Sequence, residues 1–463
     1  MKAWEEARKI TDQAIPVRLA EEEQTWDAYN EVERQIDFML KLYWNSNVPG
    51  SFAPESLALA SIQAVENQGK IVEGGMDLYY TGQEAVKNDD MVALNRISAI
   101  LKNRVNEAKV NAEHGYWKTE LYSTFEDFAA KTRFPETIAC DVTSQHFWKQ
   151  TYAGWMTQII GAAYGTALEG YTTEQLEKKF GEMDEYVRTP NTMNDDITYE
   201  LAFLNAFDRE GYGVTSRNIA AEWLALVPAG WSAEQIALDN IRLGIMPPES
   251  GRLHNPFNEW IGAQMRGVIC GMAAPGNAKL AAELAWKDGE VSHISNGIIG
   301  EVFNAMLAAM AYERKDIRAM LVDVIDGLPA EAEYTQVVRF ALDQCQSNED
   351  WRPAWTACEE RVTTFNWIHT YPNAAAEVVA MWYGDGDFDR TLILSGKLGQ
   401  DVDCNAAQIL SILGIMNGLD SVSERWTAPF ANDNLETYVR SMKEMTITSL
   451  TDWTVNAVKK ASV

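Results

Sequence analysis

The chain has 463 residues, 46% of them hydrophobic, and its 39 Lys and Arg stand against 67 Asp and Glu for a formal net charge of −28. Such a field repels nucleic acid and anionic membrane surfaces, so neither is expected as a partner, and it attracts cations. The length predicts roughly two or three domains with a sizeable core, and no segment is low in complexity.

The N-terminal stretch MKAWEEARKITDQ is charged and has no apolar centre, unlike a secretion signal. No apolar run reaches the roughly 18 residues that span a bilayer. Helical periodicity marks segments 26–43, 57–65 and 91–108, with PGS at 49–51 and FPET at 134–137 as breaks. A change of texture predicts a boundary near 140–150, which gives an N-terminal helical domain or cap over 1–145 and a second domain over 146–463. Ser292 and His293 precede a long apolar helix over 298–311, where Gly300, Ala305 and Ala308 let a neighbouring helix come close. Ile317, Met320, Leu321 and Ile325 share a helix face that Gly327 ends, and Pro329 is expected to open the next helix. No series of alternating strands is present, so the fold class is expected to be all-α. The five cysteines, Cys140, Cys270, Cys345, Cys358 and Cys404, are scattered and odd in number. They form neither a disulfide framework nor a zinc motif, and they point to a reducing cytoplasm.

Two acidic clusters carry the candidate chemistry. Asn194-Asp195-Asp196 precedes the helical segment ITYELAFLNAF, and Asp401-Val402-Asp403-Cys404-Asn405 opens AAQILSILGIMNG. Neighbouring residues do not share a helix face, so both clusters have to act from a loop or a first turn. There, short carboxylates from two segments can converge on hard cations such as Mg²⁺, which prefer oxygen ligands. The competing reading is ordinary helix capping. The chain contains its own control, because Asn88-Asp89-Asp90 is the same tripeptide before another helix. A second decoy, Asp385-Gly386-Asp387-Phe388-Asp389, starts like a calcium loop, but Arg390 and Gly396 stand where Gly and Glu are required.

In order along the chain, GAAYGTALEG at 161–170, NDDIT at 194–198, GAQMRG at 262–267, SHISNGIIG at 292–300, TYPNAAAEVVAMWYGDGDFD at 370–389 and GQDVDCNAA at 399–407 resemble segments of the ADP-ribosylglycohydrolase family. The resemblance covers 158–200 and 255–417, about two-thirds of the chain. It implies a compact multi-helix orthogonal bundle, with the N-terminal helical region as an addition. It also implies two Mg²⁺ (or Mn²⁺) ions held by Asn194, Asp195, Asp196, Asp401, Asp403 and Cys404. Glu174 falls near the family's acidic residue after the first turn, which makes Glu174, Asp196 and Asp403 the expected catalytic groups. His293, His369 and Asn405 are the expected substrate contacts. Trp382 and Tyr383 are candidates for stacking, and Arg266 for either an anionic substrate group or a buried ion pair. Thr166, Asn194 and Cys404 depart from the family's Asp, Thr and Thr. Sulfur suits hard cations poorly.

The implied reaction is hydrolysis of an N- or O-glycosidic bond at ribose C1, with an oxocarbenium-like transition state that a dense acidic site stabilises. The substrate is then a small ribosylated compound or an ADP-ribosylated protein. Two further readings stand: an N-glycosidase acting on a free nucleoside, and a non-catalytic ADP-ribose-binding protein. The N-terminal helices are placed to cap a site or to build a homo-oligomer.

Overall fold

In the computed structural model, which describes residues 2–462, the chain is predominantly helical. The N-terminal helices are α1 (Ala3–Gln13), α2 (Asp27–Trp44), α3 (Leu57–Asn67), α4 (Gly75–Lys87), α5 (Met91–Asn106) and α6 (Phe125–Lys131). The next group is α7 (Gln145–Gly165), α8 (Thr173–Phe180), α9 (Asp196–Glu210), α10 (Ser216–Leu226), α11 (Ser232–Arg242), α12 (Glu249–Arg252), α13 (Gly267–Ala273), α14 (Ala278–Gly289) and α15 (Ser295–Ala311). The last group is α16 (Ile317–Gly327), α17 (Glu333–Ser347), α18 (Trp351–Val362), α19 (Thr370–Gly384), α20 (Phe388–Leu398), α21 (Val402–Asn417), α22 (Glu424–Thr427) and α23 (Ile447–Ala461). Among the described residues, strands occur only as short antiparallel pairs, one of them β1 (Ser46–Asn47) with β2 (Pro54–Glu55). The fold is all-α, as the periodicity predicts. Among the described residues, no helix is long and apolar enough to cross a membrane.

One expected helix start shifts. Pro329 does not open α17; its carbonyl accepts from the N–H of Ala332, and the helix begins at Glu333. The intervening turn lets the backbone N–H of Tyr334 reach the buried Asn296 side chain (3.1 Å).

The centre of the molecule is built from helices that are apolar on every side. Every residue of α15 is buried, as is nearly all of α7, α19 and α21. Such helices need no polar face because other helices enclose them on all sides. Helix α7 starts where the Ser144 hydroxyl accepts from the N–H of Phe147 (3.1 Å), and it lies along α21. The two backbones approach so closely that a β-carbon on Gly165 would fall on the backbone of Asp403, and one on Gly161 on the backbone of Ala406. This contact carries the turn after α7 to the start of α21.

Ahead of α7, Trp44, Ala58, Ile62, Val65, Leu94 and Leu101 form a small core among α2, α3 and α5. The opposite side of α3 (Leu57, Ala60 and Ala64), together with Phe128, joins the large core. Helix α3 therefore rivets the N-terminal helices to the rest.

Candidate functional site

The starts of α9 and α21 meet beneath a cavity of about 420 Å³. Asp401 and Asp403 bring ligand oxygens within 4.8 Å of each other and of the Cys404 sulfur. Asp195 and Asp196, at the start of α9, are close enough that their charges and those of Asp401 and Asp403 raise one another. The structure thus gathers the two predicted clusters into one. Asn194 joins at the rim, where its Oδ1 accepts from the N–H of Ile197 (3.3 Å).

The contrast with the two decoys is chemical. At the twin tripeptide, Asp90 caps α5 through the N–H of Ala93 (2.9 Å), and Asp89 pairs with Lys41 (2.7 Å). In the calcium-like loop, Asp387 caps α20, Asp385 pairs with Arg318, and Asp389 accepts from Ser423, Arg425 and Trp426. Each of those carboxylates has its partners. In the central cluster both oxygens of Asp196, together with Oδ1 of Asp401, of Asp403 and of Asn405, are buried with no hydrogen-bond partner. Buried polar atoms are rarely left this way, which marks the set as a candidate site for a bound group.

Burial and mutual repulsion push these carboxyls up. Asp195 rises to about 6, and Asp196 and Asp401 stand well above the ordinary carboxylate range. Asp403 rises less, because the neighbouring Asp401 and Glu169 carboxyls favour its charged form. Cys404 is forced well above the usual thiol value by burial and the surrounding aspartates, so its sulfur stays neutral. It packs 3.7 Å from the Met265 sulfur.

Glu169 is the acidic residue that the structure adds to the cluster. The N–H of Gly170 donates to the Gln400 carbonyl (2.8 Å), and that of Gln400 to the Tyr171 carbonyl (3.3 Å). These bonds tie the turn after α7 to the loop before α21 and hold Glu169 beside Asp403. Burial, then Asp403 and Asp401, raise its carboxyl well above the ordinary range. Glu174, expected as the acid, is instead exposed in the first turn of α8 and does not line the cavity. Four residues of turn and helix start separate the two, enough to swing Glu174 out to solvent.

The expected substrate contacts also stand away from the cavity wall. His369 is the N-cap of α19: its Nδ1 accepts from the N–H of Tyr371 (3.2 Å), and burial lowers its pKa to about 3. His293 is held by Ser292 (2.7 Å), and burial and Arg266 keep it neutral. Asn405 donates to the Asn373 Oδ1 (2.8 Å), the same oxygen that accepts from the N–H of Asp401 (3.0 Å). Asn373 therefore positions the second cluster, and Asn405 supports it from behind. Arg266, wholly buried, binds Asp288, the Gly262 carbonyl (2.5 Å) and Glu234 (3.3 Å), which makes it part of an internal ion network. Trp382 and Tyr383 lie at the far end of α19, where Trp382 packs under Arg318 and the Tyr383 hydroxyl donates to the Asn348 carbonyl (2.8 Å).

The rest of the wall went unseen in the sequence. Glu55 and the loop between β1 and β2 form one side, and Trp231, Glu234, Trp367, Tyr199 and Tyr438 line the others. Glu55 accepts both from the Trp231 indole N–H (3.0 Å) and from the Ser46 hydroxyl (3.2 Å). Arg266 opposes the effect of burial on Glu234, leaving it at about 7. No spacing or motif links Glu55, Glu234 and Tyr438; only the fold brings them together.

The sequence model of the ADP-ribosylglycohydrolase family matches residues 145–460. A solved structure described as an ADP-ribosylglycohydrolase-related protein complex is similar over 69% of this chain and 100% of that one, at 16% identity and a TM-score of 0.49. No curated protein matches the sequence.

Proposed function

Because the chain belongs to the ADP-ribosylglycohydrolase family, we propose that it is a metal-dependent glycoside hydrolase that cleaves a ribosyl N- or O-glycosidic bond. Family membership by itself suggests a glycohydrolase for ADP-ribose-like substrates. The finer reading rests on one observation: four buried carboxylate oxygens with no partner, both of Asp196 and one each of Asp401 and Asp403, lie at two helix starts. A donor set of carboxylate and amide oxygens fits hard divalent cations. Asp195, Asp196, Asp401 and Asp403 would hold two Mg²⁺ or Mn²⁺ ions, with Asn194 at the rim. The neutral Cys404 sulfur contributes poorly to such an ion and acts as packing.

Bound ions would supply Lewis acidity and orient ribose hydroxyls. The chain's own groups do the rest. The residual negative charge of the cluster stabilises positive charge developing at the sugar. Glu169, whose carboxyl burial and Asp403 push well above the ordinary range, lies adjacent to Asp403 and could exchange a proton with a reacting water or leaving group. The β1–β2 loop closes one side of the cavity, which supports reading residues 1–145 as a cap over a site built by residues 146–463.

The experiment is metal analysis joined to product detection. Protein purified without chelator is expected to carry up to two Mg²⁺ or Mn²⁺ per chain, and the double variant Asp195→Asn/Asp403→Asn none. Metal content unchanged in the double variant overturns the ligand assignment. Mass-spectrometric detection of a free ribose species from a panel of ribosyl compounds checks the reaction.

A further inference from the structure

Nearly half of the exposed large apolar side chains lie between residues 4 and 39, a stretch under a tenth of the chain's length. Helix α1 buries no residue, and α2 buries only Trp44 at its end. On α1, Trp4, Ala7 and Ile10 share one face. Between the two helices, Ile15, Val17 and Leu19 alternate along a segment without secondary structure, each more than half exposed. On α2, Tyr29, Val32, Ile36, Met39 and Tyr43 recur three and four residues apart, the spacing of a seam between paired helices. A concentration of apolar surface of this kind marks an interaction site.

The seam of α2 runs into an open groove of about 790 Å³. Ile36, Met39 and Tyr43 form one side of it, and Ile236 of α11, Pro256 and Phe257 form another. Trp231 and Ser232 line both this groove and the acidic cavity. A further side is α5, which carries Arg96, Lys102 and Arg104 and no acidic residue, in a chain with 67 Asp and Glu against 39 Lys and Arg. Lys102 lines the groove, with its ammonium over the Tyr43 ring (4.8 Å). The segment that leads away from Leu19 has the opposite charge, in the single turn Glu21–Glu23. Between residues 4 and 39, ten Asp and Glu stand against four Lys and Arg, a balance that an anionic membrane repels.

We propose that residues 4–26 of one copy occupy the groove of a second copy, and the reverse, in a two-fold dimer. The apolar alternation at 15–19 fills the groove, and Glu21–Glu23 meets the basic helix α5. This arm joins α2 at its start, whereas the groove lies along the second half of α2, so each helix carries its arm away from its own groove. Exchange between two copies covers both surfaces at once and closes the assembly. Trp4, Ile10, Ile15, Val17, Leu19 and Trp26, each more than half exposed, together offer on the order of 800 Å², the share that one partner gives to a stable interface.

The test is light scattering on the full chain across micromolar concentrations. The unsubstituted protein is expected to have twice the chain mass. The variant Val17→Glu/Leu19→Glu, altered at two exposed positions, is expected to be a monomer with an unchanged circular dichroism spectrum. Arg96→Glu/Lys102→Glu and, separately, Glu21→Lys/Glu22→Lys/Glu23→Lys are each expected to raise the dimer dissociation constant at least about tenfold, and the two sets combined to restore it. A monomeric unsubstituted chain, a dimer that survives Val17→Glu/Leu19→Glu, or charge reversals that do not compensate each other overturns the proposal. Slow amide exchange at 15–19 in a monomer would seat the arm in its own groove, and arm-dependent binding of a monomer to phosphatidylcholine vesicles would make the seam a lipid contact; either result overturns it as well.

Discussion

Replacing Asp403 by Asn is expected to move stability in opposite directions with and without metal. Ligand oxygens of Asp403 and Asp401 lie within 4.8 Å of each other. When both are ionised, two unit charges at that distance repel by about 3.5 kcal/mol at an effective dielectric near 20. Asn is nearly isosteric and removes this repulsion, so in chelator at pH 8 the variant is expected to melt a few degrees above the unsubstituted chain. The raised carboxyls define the pH window. Near pH 5 the cluster of the metal-free protein is largely protonated, and the advantage shrinks. With Mg²⁺ at about 100 times its dissociation constant, each bound ion adds about 2.7 kcal/mol to the folded state. The variant loses this gain, so the order of melting temperatures reverses. Differential scanning calorimetry in chelator and in Mg²⁺, each at pH 5 and pH 8, measures all four terms. A variant that melts lower than the unsubstituted chain in chelator at both pH values would show that Asp403 is a structural hydrogen-bond partner. No Mg²⁺-dependent shift in the unsubstituted chain would remove the metal from the account.

Three further outcomes are expected. Glu169→Gln should lower turnover at least about 100-fold while leaving metal content intact, whereas Glu174→Gln should leave kcat within about twofold; a reversed pattern in steady-state assays would return the acid to α8. Glu200, buried and held by Gln158 and Gln408, is pushed up to about 8, so its contribution to stability is full below about pH 4.5 and is lost as pH rises through 8. Denaturant titrations from pH 5 to 9 should show Glu200→Gln losing less stability with rising pH than the unsubstituted chain, by roughly 4 kcal/mol at most, and parallel curves would refute the assignment. Gly165→Ala should cost about 3 kcal/mol or more and abolish metal binding, because its β-carbon meets the backbone of Asp403 and no side chain can move aside. A stable Gly165→Ala protein with normal metal content would mean that the contact between α7 and α21 is looser than described.

The site was legible only where its residues sit together in the sequence. Asp195 and Asp196 are adjacent, and Asp401 and Asp403 lie two apart, so each pair stands out. The tripeptide at 88–90 reads the same and is a helix cap paired with a lysine. What separates them is the count of partners for each oxygen, which is set by neighbours far away along the chain. The position of Glu169 escapes the sequence for a related reason. A pattern counts residues, whereas the backbone bonds between Gly170 and Gln400 and between Gln400 and Tyr171 decide which carboxylate faces Asp403.

By itself the sequence determined the helical class, most helix spans, the two acidic clusters and the family resemblance, because these depend on local periodicity and short motifs. The tertiary structure alone decided that Glu55, Glu234, Trp231, Trp367 and Tyr438 share one cavity, and that His293, His369 and Asn405 stand behind its wall. It also engaged the Arg266 guanidinium in internal contacts. The physical reason is common to all three. Which polar atoms remain free, and which face a cavity, depends on contacts between segments hundreds of residues apart, and no window along the chain contains them.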